Sequence, residues 1–124
     1  MNPSSSGPVR SWLAALLVLA LPLGGGCATA ADGHVTVFAS AGTRQCEPAP
    51  ADPMAAALAR LSAAGVQASA PRCGHDGRVR AAMCGMSDGR ILVVDVPQAA
   101  LDQVRALGWR LLSELPDARV QACD

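Results

Sequence analysis

The chain has 124 residues, which is enough for one folded domain and too few for two independent hydrophobic cores. Ten basic residues, all of them arginine, balance ten acidic residues, and the chain has no tyrosine and one phenylalanine. A neutral surface without stacking aromatics excludes most modes of nucleic-acid binding, which use a basic face and aromatic side chains. Hydrophobic residues make up 51% of the chain, but much of this is alanine, and the long apolar run stands at the N-terminus.

The first thirty residues have the features of an export signal. Arg10 precedes an apolar run of twelve residues, 12–23, which is too short for a transmembrane helix of roughly 20 residues and suits the core of a signal peptide. Residues 28–30 (ATA) supply the small side chains that a signal-peptide cleavage site requires. We therefore expect a signal peptide over residues 1–30 and one exported domain, periplasmic or extracellular, over residues 31–124.

Cys27 allows a second form of processing. A bacterial lipoprotein signal ends in a short box of apolar and small residues directly before a cysteine, which is then lipidated. Residues 23–26 (LGGG) resemble such a box, although Leu23 stands one residue further from Cys27 than in most of these signals. Two outcomes stay open: a lipid at Cys27, which is the one membrane attachment we expect, or cleavage that discards Cys27.

Four cysteines remain in the predicted exported domain: Cys46, Cys73, Cys84 and Cys123. An even number in a small exported domain predicts two disulfides, because a core of this size gains substantial stability from cross-links. The spacing matches neither a C-x-x-C redox pair nor a paired C-x-x-C zinc framework. Three connectivities are possible, and the sequence does not choose among them.

The first predicted unit is a strand, a helix and a strand. Residues 35–40 (VTVFAS) predict the first strand, and residues 66–70 (VQASA) predict the second. Between them, Asp52 can cap a helix that begins with Pro53, and Gly65 ends it. Apolar residues at helical spacing form the predicted buried stripe: Met54, Ala57, Leu58 and Leu61.

A second unit aligns with the first without gaps, residues 99–109 with residues 56–66. Its helix opens at Pro97 and stops at Gly108, between strand candidates at 91–96 (ILVVDV) and 109–112 (WRLL). The predicted buried stripe of this helix is Ala100, Leu101, Val104 and Leu107. Two such βαβ repeats predict an α+β fold, a ferredoxin-like sandwich with a four- or five-stranded antiparallel sheet and two helices on one face.

The stretch between the repeats allows two topologies. Cys73 and Cys84 are each followed by a glycine and then by an Asp-Gly pair, which is a strong hairpin signal. Residues 66–96 can therefore form three strands, with residues 78–84 (RVRAAMC) in the middle. The alternative is a simple hairpin with an irregular excursion over residues 73–90, which would bring Cys73 and Cys84 close to Cys46 at one end of the sheet.

Soft metal ligands are concentrated in this excursion: Cys73, His75, Cys84 and Met86. Thiolate, imidazole and thioether groups suit copper, especially Cu(I). The competing interpretation is that both cysteines are oxidised and that His75 and Met86 are exposed turn residues. A soft-metal site is therefore an alternative function, and otherwise we expect no cofactor.

Catalytic motifs are missing from the sequence. It contains no G-x-S-x-G, no phosphate-binding loop, no H-E-x-x-H and no G-x-G-x-x-G. We therefore expect a protein that is not an enzyme and that binds another envelope protein or a small ligand. The candidate surfaces are the loop 41–51, which is stiffened by prolines, the arginine-rich excursion 73–90, and an exposed sheet edge that could accept a partner strand.

Overall fold

The computed structural model describes residues 33–124. Its strands are β1 (His34–Ser40), β2 (Ser69–His75), β3 (Arg90–Pro97), β4 (Arg110–Leu111) and β5 (Arg119–Gln121). Its helices are α1 (Pro53–Ala63) and α2 (Leu101–Ala106), with 3-10 turns at Gln98–Ala100 and Leu112–Glu114. The predicted signal peptide and Cys27 lie outside these described residues.

All of these strands belong to one antiparallel sheet, in the order β4-β1-β3-β2-β5. The central strand β3 pairs with β1 along its length, from His34 opposite Pro97 to Ser40 opposite Ile91. On its other side β3 pairs with β2, where a bulge lies between Ser69 and Arg72. The fold is therefore α+β, as predicted, with five antiparallel strands and two helices.

Helix α1 begins and ends where the sequence predicts. The Asp52 carboxylate accepts a hydrogen bond from the amide of Ala55 (2.8 Å), and Pro53 is the first helical residue. Gly65 has a φ of +76° just beyond the helix, a conformation that glycine adopts without steric cost. Met54 and Leu61 are buried, so the predicted apolar stripe does face the sheet.

Helix α2 is shorter than its apolar pattern suggests. It ends at Ala106, and Leu107, which was predicted to be buried, is 47% exposed. Gly108 turns the chain with a φ of +90°, and the amide of Trp109 donates to the carbonyl of Val104 (3.0 Å). Trp109 is thereby carried into the core in place of Leu107.

The sheet has a hydrophobic cluster on each face. Both helices pack on the first face, where Val104 and Trp109 meet inward-facing valines and leucines of the strands, and the second face carries Phe38, Ile91 and Val93. Since β4 and β5 lie at opposite edges, residues 112–118 must cross this second face. Leu115 in this C-terminal crossover packs against Phe38, Ile91 and Val93.

Of the two topologies that the sequence allows between the repeats, the one with a middle strand at residues 78–84 does not occur. Residues 76–89 form no strand, apart from an isolated bridge between Arg44 and Ser87. The positions beside β3 are taken by β1 and β2, and the outer side of β2 is taken by β5, a strand that was not predicted. The second strand also begins later than predicted, at Ser69, and extends to His75.

Candidate binding site

Residues 73–75 and 90 of the predicted excursion belong to β2 and β3, so the excursion outside the sheet is residues 76–89. The loop 41–51 and this excursion leave the sheet at the same end. Strand β1 ends at Ser40, which lies opposite Ile91 near the beginning of β3. Strand β2 ends at His75, which lies opposite Arg90 at the beginning of β3. Antiparallel pairing of the three strands therefore places the two loops side by side, as the hairpin alternative predicts.

Main-chain hydrogen bonds join the two loops. The amide of Gln45 donates to the carbonyl of Met86 (2.8 Å), and the amide of Gly85 donates to the carbonyl of Gln45 (2.9 Å). The Arg44 guanidinium adds a bond to the carbonyl of Gly85 (2.9 Å). We call this joined structure, residues 41–51 with residues 76–89, the loop platform.

A disulfide links the two halves of the loop platform. Cys46 and Cys84 are bonded, with a separation of 5.0 Å between their α-carbons. Both residues are exposed to solvent. The bridge closes a chain segment of 38 residues, so it restricts the unfolded chain as well as the loops.

The side chain of Gln45 binds residues 81–83 of the excursion. Its Nε2 donates to the carbonyl of Ala81 (3.0 Å), and its Oε1 accepts from the amide of Met83 (3.0 Å). An amide side chain carries both donor and acceptor groups, so one glutamine holds two successive parts of the same segment. The chain between Ala81 and Met83 is therefore fastened to the loop 41–51 without belonging to a strand.

Asp76 binds residues 78 and 80 in the first part of the excursion. Both of its carboxylate oxygens accept from the guanidinium of Arg80, and Oδ1 also accepts from the amide of Arg78 (3.1 Å). The Arg80 guanidinium also donates to the carbonyl of Arg78 (3.2 Å). The Arg80 hydrogen bonds hold the pKa of Asp76 at about 2, below its ordinary value of 3.8, although burial acts in the opposite direction.

Two further polar contacts hold the base of the platform. The buried Thr43 hydroxyl donates to the Asp88 carboxylate (2.5 Å), which also accepts from the amide of Arg90 (3.1 Å). Burial alone would raise the pKa of Asp88, but these hydrogen bonds outweigh it and the pKa is lowered. Asp88 is thus a charged anchor where the excursion returns to the sheet.

His75 is held through both ring nitrogens. Its Nε2 lies 2.8 Å from the carbonyl of Asp88, and the amide of Gly77 donates to its Nδ1 (3.2 Å). These two contacts fix the orientation of the imidazole ring. A side chain at Gly89 would come within 2.6 Å of that Nε2, so the close packing here requires glycine.

The outer surface of the platform is partly apolar. The exposed fraction is 101% for Val79 and 57% for Met83, and Met86 is also exposed. Gly77 turns the chain with a φ of +74°, and residues 78–83 after it contain no turn, no bend and no residue with a positive φ, so this part of the chain is close to extended. We call residues 78–83 the exposed ridge.

Disulfides occupy both cysteines of the proposed soft-metal site. Cys84 is bonded to Cys46, and Cys73 is bonded to Cys123 with 4.8 Å between α-carbons, so neither is a thiol. His75 uses both ring nitrogens, while Met86 is exposed. Over residues 33–124, no group of three or more His, Cys, Asp or Glu side chains is arranged to hold a metal ion.

Three of the arginines near the excursion, Arg72, Arg80 and Arg90, lie beside carboxylates of the same domain. Arg72 lies opposite Val93, on the sheet face away from the helices, and pairs with Asp95 (2.6 Å). Arg80 pairs with Asp76, and Arg90 lies 3.5 Å from Asp88. These cations are therefore engaged within the domain instead of forming a clamp for an anionic ligand.

Comparison with models of known families, with characterised proteins and with solved structures finds no significant match. Among residues 33–124, no helix is both long enough and apolar enough to cross a membrane.

Sequence reasoning missed the side chains that hold the platform together. Gln45 and Thr43 carry no motif, and their partners lie 36 to 45 residues away along the chain. The Asp76 and Arg80 pair, four residues apart, was the one local signal available. The Asp-Gly pairs at 76–77 and 88–89 are hairpin signals, so the sequence predicted turns at these positions instead.

Proposed function

We propose that this protein is an exported, non-catalytic binding domain whose contact surface is the loop platform. The observation that carries this proposal is the combination of a braced backbone with exposed apolar side chains. Val79 and Met83 face solvent on a segment that a disulfide, Gln45 and Asp76 hold in place. Ordering a loop before binding reduces the entropy lost on association, so a braced loop is suited to recognition.

The scaffold beneath the platform is proposed to be a ferredoxin-like sandwich built from two βαβ units. The strand order β4-β1-β3-β2 and the position of both helices on one face support this assignment. Strand β5 and the C-terminal crossover would then be additions to that core. Because such scaffolds host many functions, the binding role is argued from the platform and not from the fold.

Export is supported by the two disulfides, which persist in oxidising compartments. The intact mass of the protein from its native envelope tests this proposal and the form of processing together. A lipid-modified mass beginning at Cys27 indicates an anchor, and a mass beginning after Ala30 or Ala31 indicates release. An unprocessed chain beginning at Met1 contradicts export through this signal.

A binding role is favoured over the soft-metal role by the oxidation of Cys73 and Cys84. Copper coordination by these residues would require both disulfides to be reduced, with loss of the bonds that hold the platform and the C-terminus. Alkylation of the unreduced protein distinguishes the two roles. We expect no labelled cysteine in the folded domain, whereas labelling of Cys73 and Cys84 contradicts the binding proposal.

Site-specific photo-crosslinking in the native envelope tests whether the platform is the contact surface. A photoreactive amino acid at Val79 or Met83 should give a discrete adduct with one envelope component. The same group at Leu107, which is also exposed but lies outside the platform, should give none. Equal adducts at all three positions, or none at Val79 and Met83, would contradict the proposal.

A further inference from the structure

We propose, on the basis of this binding role, that the exposed ridge binds the active site of an exported serine protease as a substrate-like inhibitory segment. Val79 is assigned to the pocket that receives the residue before the scissile bond. The partner is a protease whose pocket accepts a small apolar side chain, as in enzymes of the elastase type. The ridge contributes three properties to this assignment: an unpaired extended backbone, an exposed specificity side chain, and support on both sides of one peptide bond.

The backbone of the ridge is available for pairing. Proteases bind substrates as extended strands, with main-chain hydrogen bonds supplying affinity and side-chain pockets supplying specificity. Residues 78–83 run without a turn, a bend or a positive φ, and the main-chain groups of Val79 and Arg80 have no hydrogen-bond partner within residues 33–124. The neighbouring main-chain bonds run to side chains of Asp76, Arg80 and Gln45, and the carbonyl of Met83 also accepts from the amide of Met86 (3.2 Å). Residues 78–83 belong to no strand of the sheet.

The side chain of Val79 is fully exposed, whereas its neighbour Arg80 is held by Asp76. Arg80 is therefore unavailable to enter a pocket, and Val79 is the most exposed apolar side chain of the ridge. Burying one such side chain in a pocket increases affinity by about 10- to 100-fold. The aliphatic identity of this side chain selects the class of protease.

Support on both sides of the bond between Val79 and Arg80 explains how the segment would inhibit instead of being consumed. On the amino side, Asp76 accepts from the amide of Arg78 (3.1 Å). On the carboxyl side, the same Asp76 binds the Arg80 guanidinium, and Gln45 holds Ala81 and Met83. Both ends produced by cleavage would therefore remain in place.

The chemistry of the encounter is that of ordinary acyl transfer, run in both directions. The protease serine Oγ attacks the carbonyl carbon of Val79, and the bond from that carbon to the nitrogen of Arg80 breaks. The protease histidine accepts the serine proton and passes it to the leaving amine. Because the Arg80 amine stays beside the acyl carbon, it attacks the acyl-enzyme and reforms the peptide bond, which returns the serine to its protonated state.

Inhibition kinetics with the exported, oxidised protein test this assignment. We expect it to inhibit an elastase-type serine protease in stoichiometric amounts, with slow cleavage confined to the bond after Val79. Val79→Asp should weaken inhibition about 100-fold without changing the melting temperature, since the side chain makes no internal contact. Leu107→Asp, a matched change at an exposed apolar residue outside the platform, should inhibit as the unaltered protein does.

A second pair of variants tests the support. Gln45→Ala should convert the protein from an inhibitor toward a substrate, with faster cleavage after Val79, whereas Gln67→Ala, at an exposed position outside the platform, should not. The assignment is overturned by absence of inhibition, by equal inhibition with Val79→Asp, or by trypsin-type inhibition with cleavage after Arg78 or Arg80. If crosslinking at Val79 nevertheless identifies a partner that is no protease, the binding role stands and the protease assignment alone fails.

Discussion

At the scale of single residues, Asp76 is a nearly buried carboxylate whose hydrogen bonds contribute to stability. Its side chain is 11% exposed and accepts bonds from Arg80 and from the amide of Arg78. We expect Asp76→Asn to lower the free energy of unfolding by about 1–3 kcal/mol, because a half-buried guanidinium loses its charged partner. Chemical denaturation measures this loss. Asp102→Asn, at a fully exposed carboxylate 3.8 Å from Arg105, should change stability by less than about 0.5 kcal/mol, and an equal loss in both variants would contradict the role of Asp76.

The same carboxylate predicts how stability responds to acid. The folded-state pKa of Asp76 is about 2, below the ordinary 3.8, so the unfolded chain binds its proton more readily. The contribution of Asp76 is fully present above about pH 4 and declines as the pH falls toward 2, by on the order of 2 kcal/mol in total. Denaturation at pH 6, 4 and 2 should show this loss in the unaltered protein and a smaller one in Asp76→Asn. Parallel pH profiles would contradict the prediction.

At the scale of elements, the C-terminal crossover and the excursion touch at Gly77. A Cβ atom at this position would stand 2.2 Å from the carbonyl oxygen of Asp117, whereas one at Gly42 would meet nothing within 4 Å. Both glycines have a φ of +74°, so alanine causes similar backbone strain at each, and any extra cost at Gly77 comes from steric crowding. Gly42→Ala should cost about 1 kcal/mol of unfolding free energy and Gly77→Ala at least about 2 kcal/mol more. Equal costs, measured by urea denaturation, would show that the crossover yields to the extra methyl group.

Gln45 provides the second prediction at this scale. Removing its side chain by Gln45→Ala frees the carbonyl of Ala81 and the amide of Met83, while the sheet keeps all its pairings. Amide exchange at Met83 should therefore become faster with little change in the exchange of β3. Gln67→Ala serves as the control, and unchanged exchange at Met83 in Gln45→Ala would mean that the disulfide alone orders the segment.

At the scale of the whole molecule, one disulfide cross-links the loops and the other cross-links the sheet to the C-terminus. Cys46–Cys84 joins exposed loops, whereas Cys73 packs against the helix-side core and is bonded to Cys123 beyond β5. We expect serine replacement of Cys73 and Cys123 to cost about 3–5 kcal/mol and to release β5. Replacement of Cys46 and Cys84 should cost less and should mainly loosen the platform. Calorimetry and amide hydrogen exchange of the two double-serine variants check this ranking. A peptide map of the unreduced protein checks the connectivity.

Several local features were predictable from the sequence alone. Asp52, Pro53 and Gly65 define α1 because capping and glycine termination depend on residues within one helical turn. The run 91–96 predicts most of β3 because a strand buried on both faces is apolar throughout. The count of four cysteines in a small domain likewise predicted two disulfides.

Tertiary structure decided which distant segments meet. The bond between Cys46 and Cys84, the contacts of Gln45 and the position of β5 all join residues 36 or more positions apart. Their geometry depends on the order of strands in the sheet, which local patterns do not encode. The two Asp-Gly pairs around residues 78–84 allow a strand there, but β1 and β2 flank β3, and β5 pairs with the other side of β2. Residues 78–83 instead form an extended ridge held by side chains, because partner availability, and not local preference, determines whether an extended segment joins a sheet.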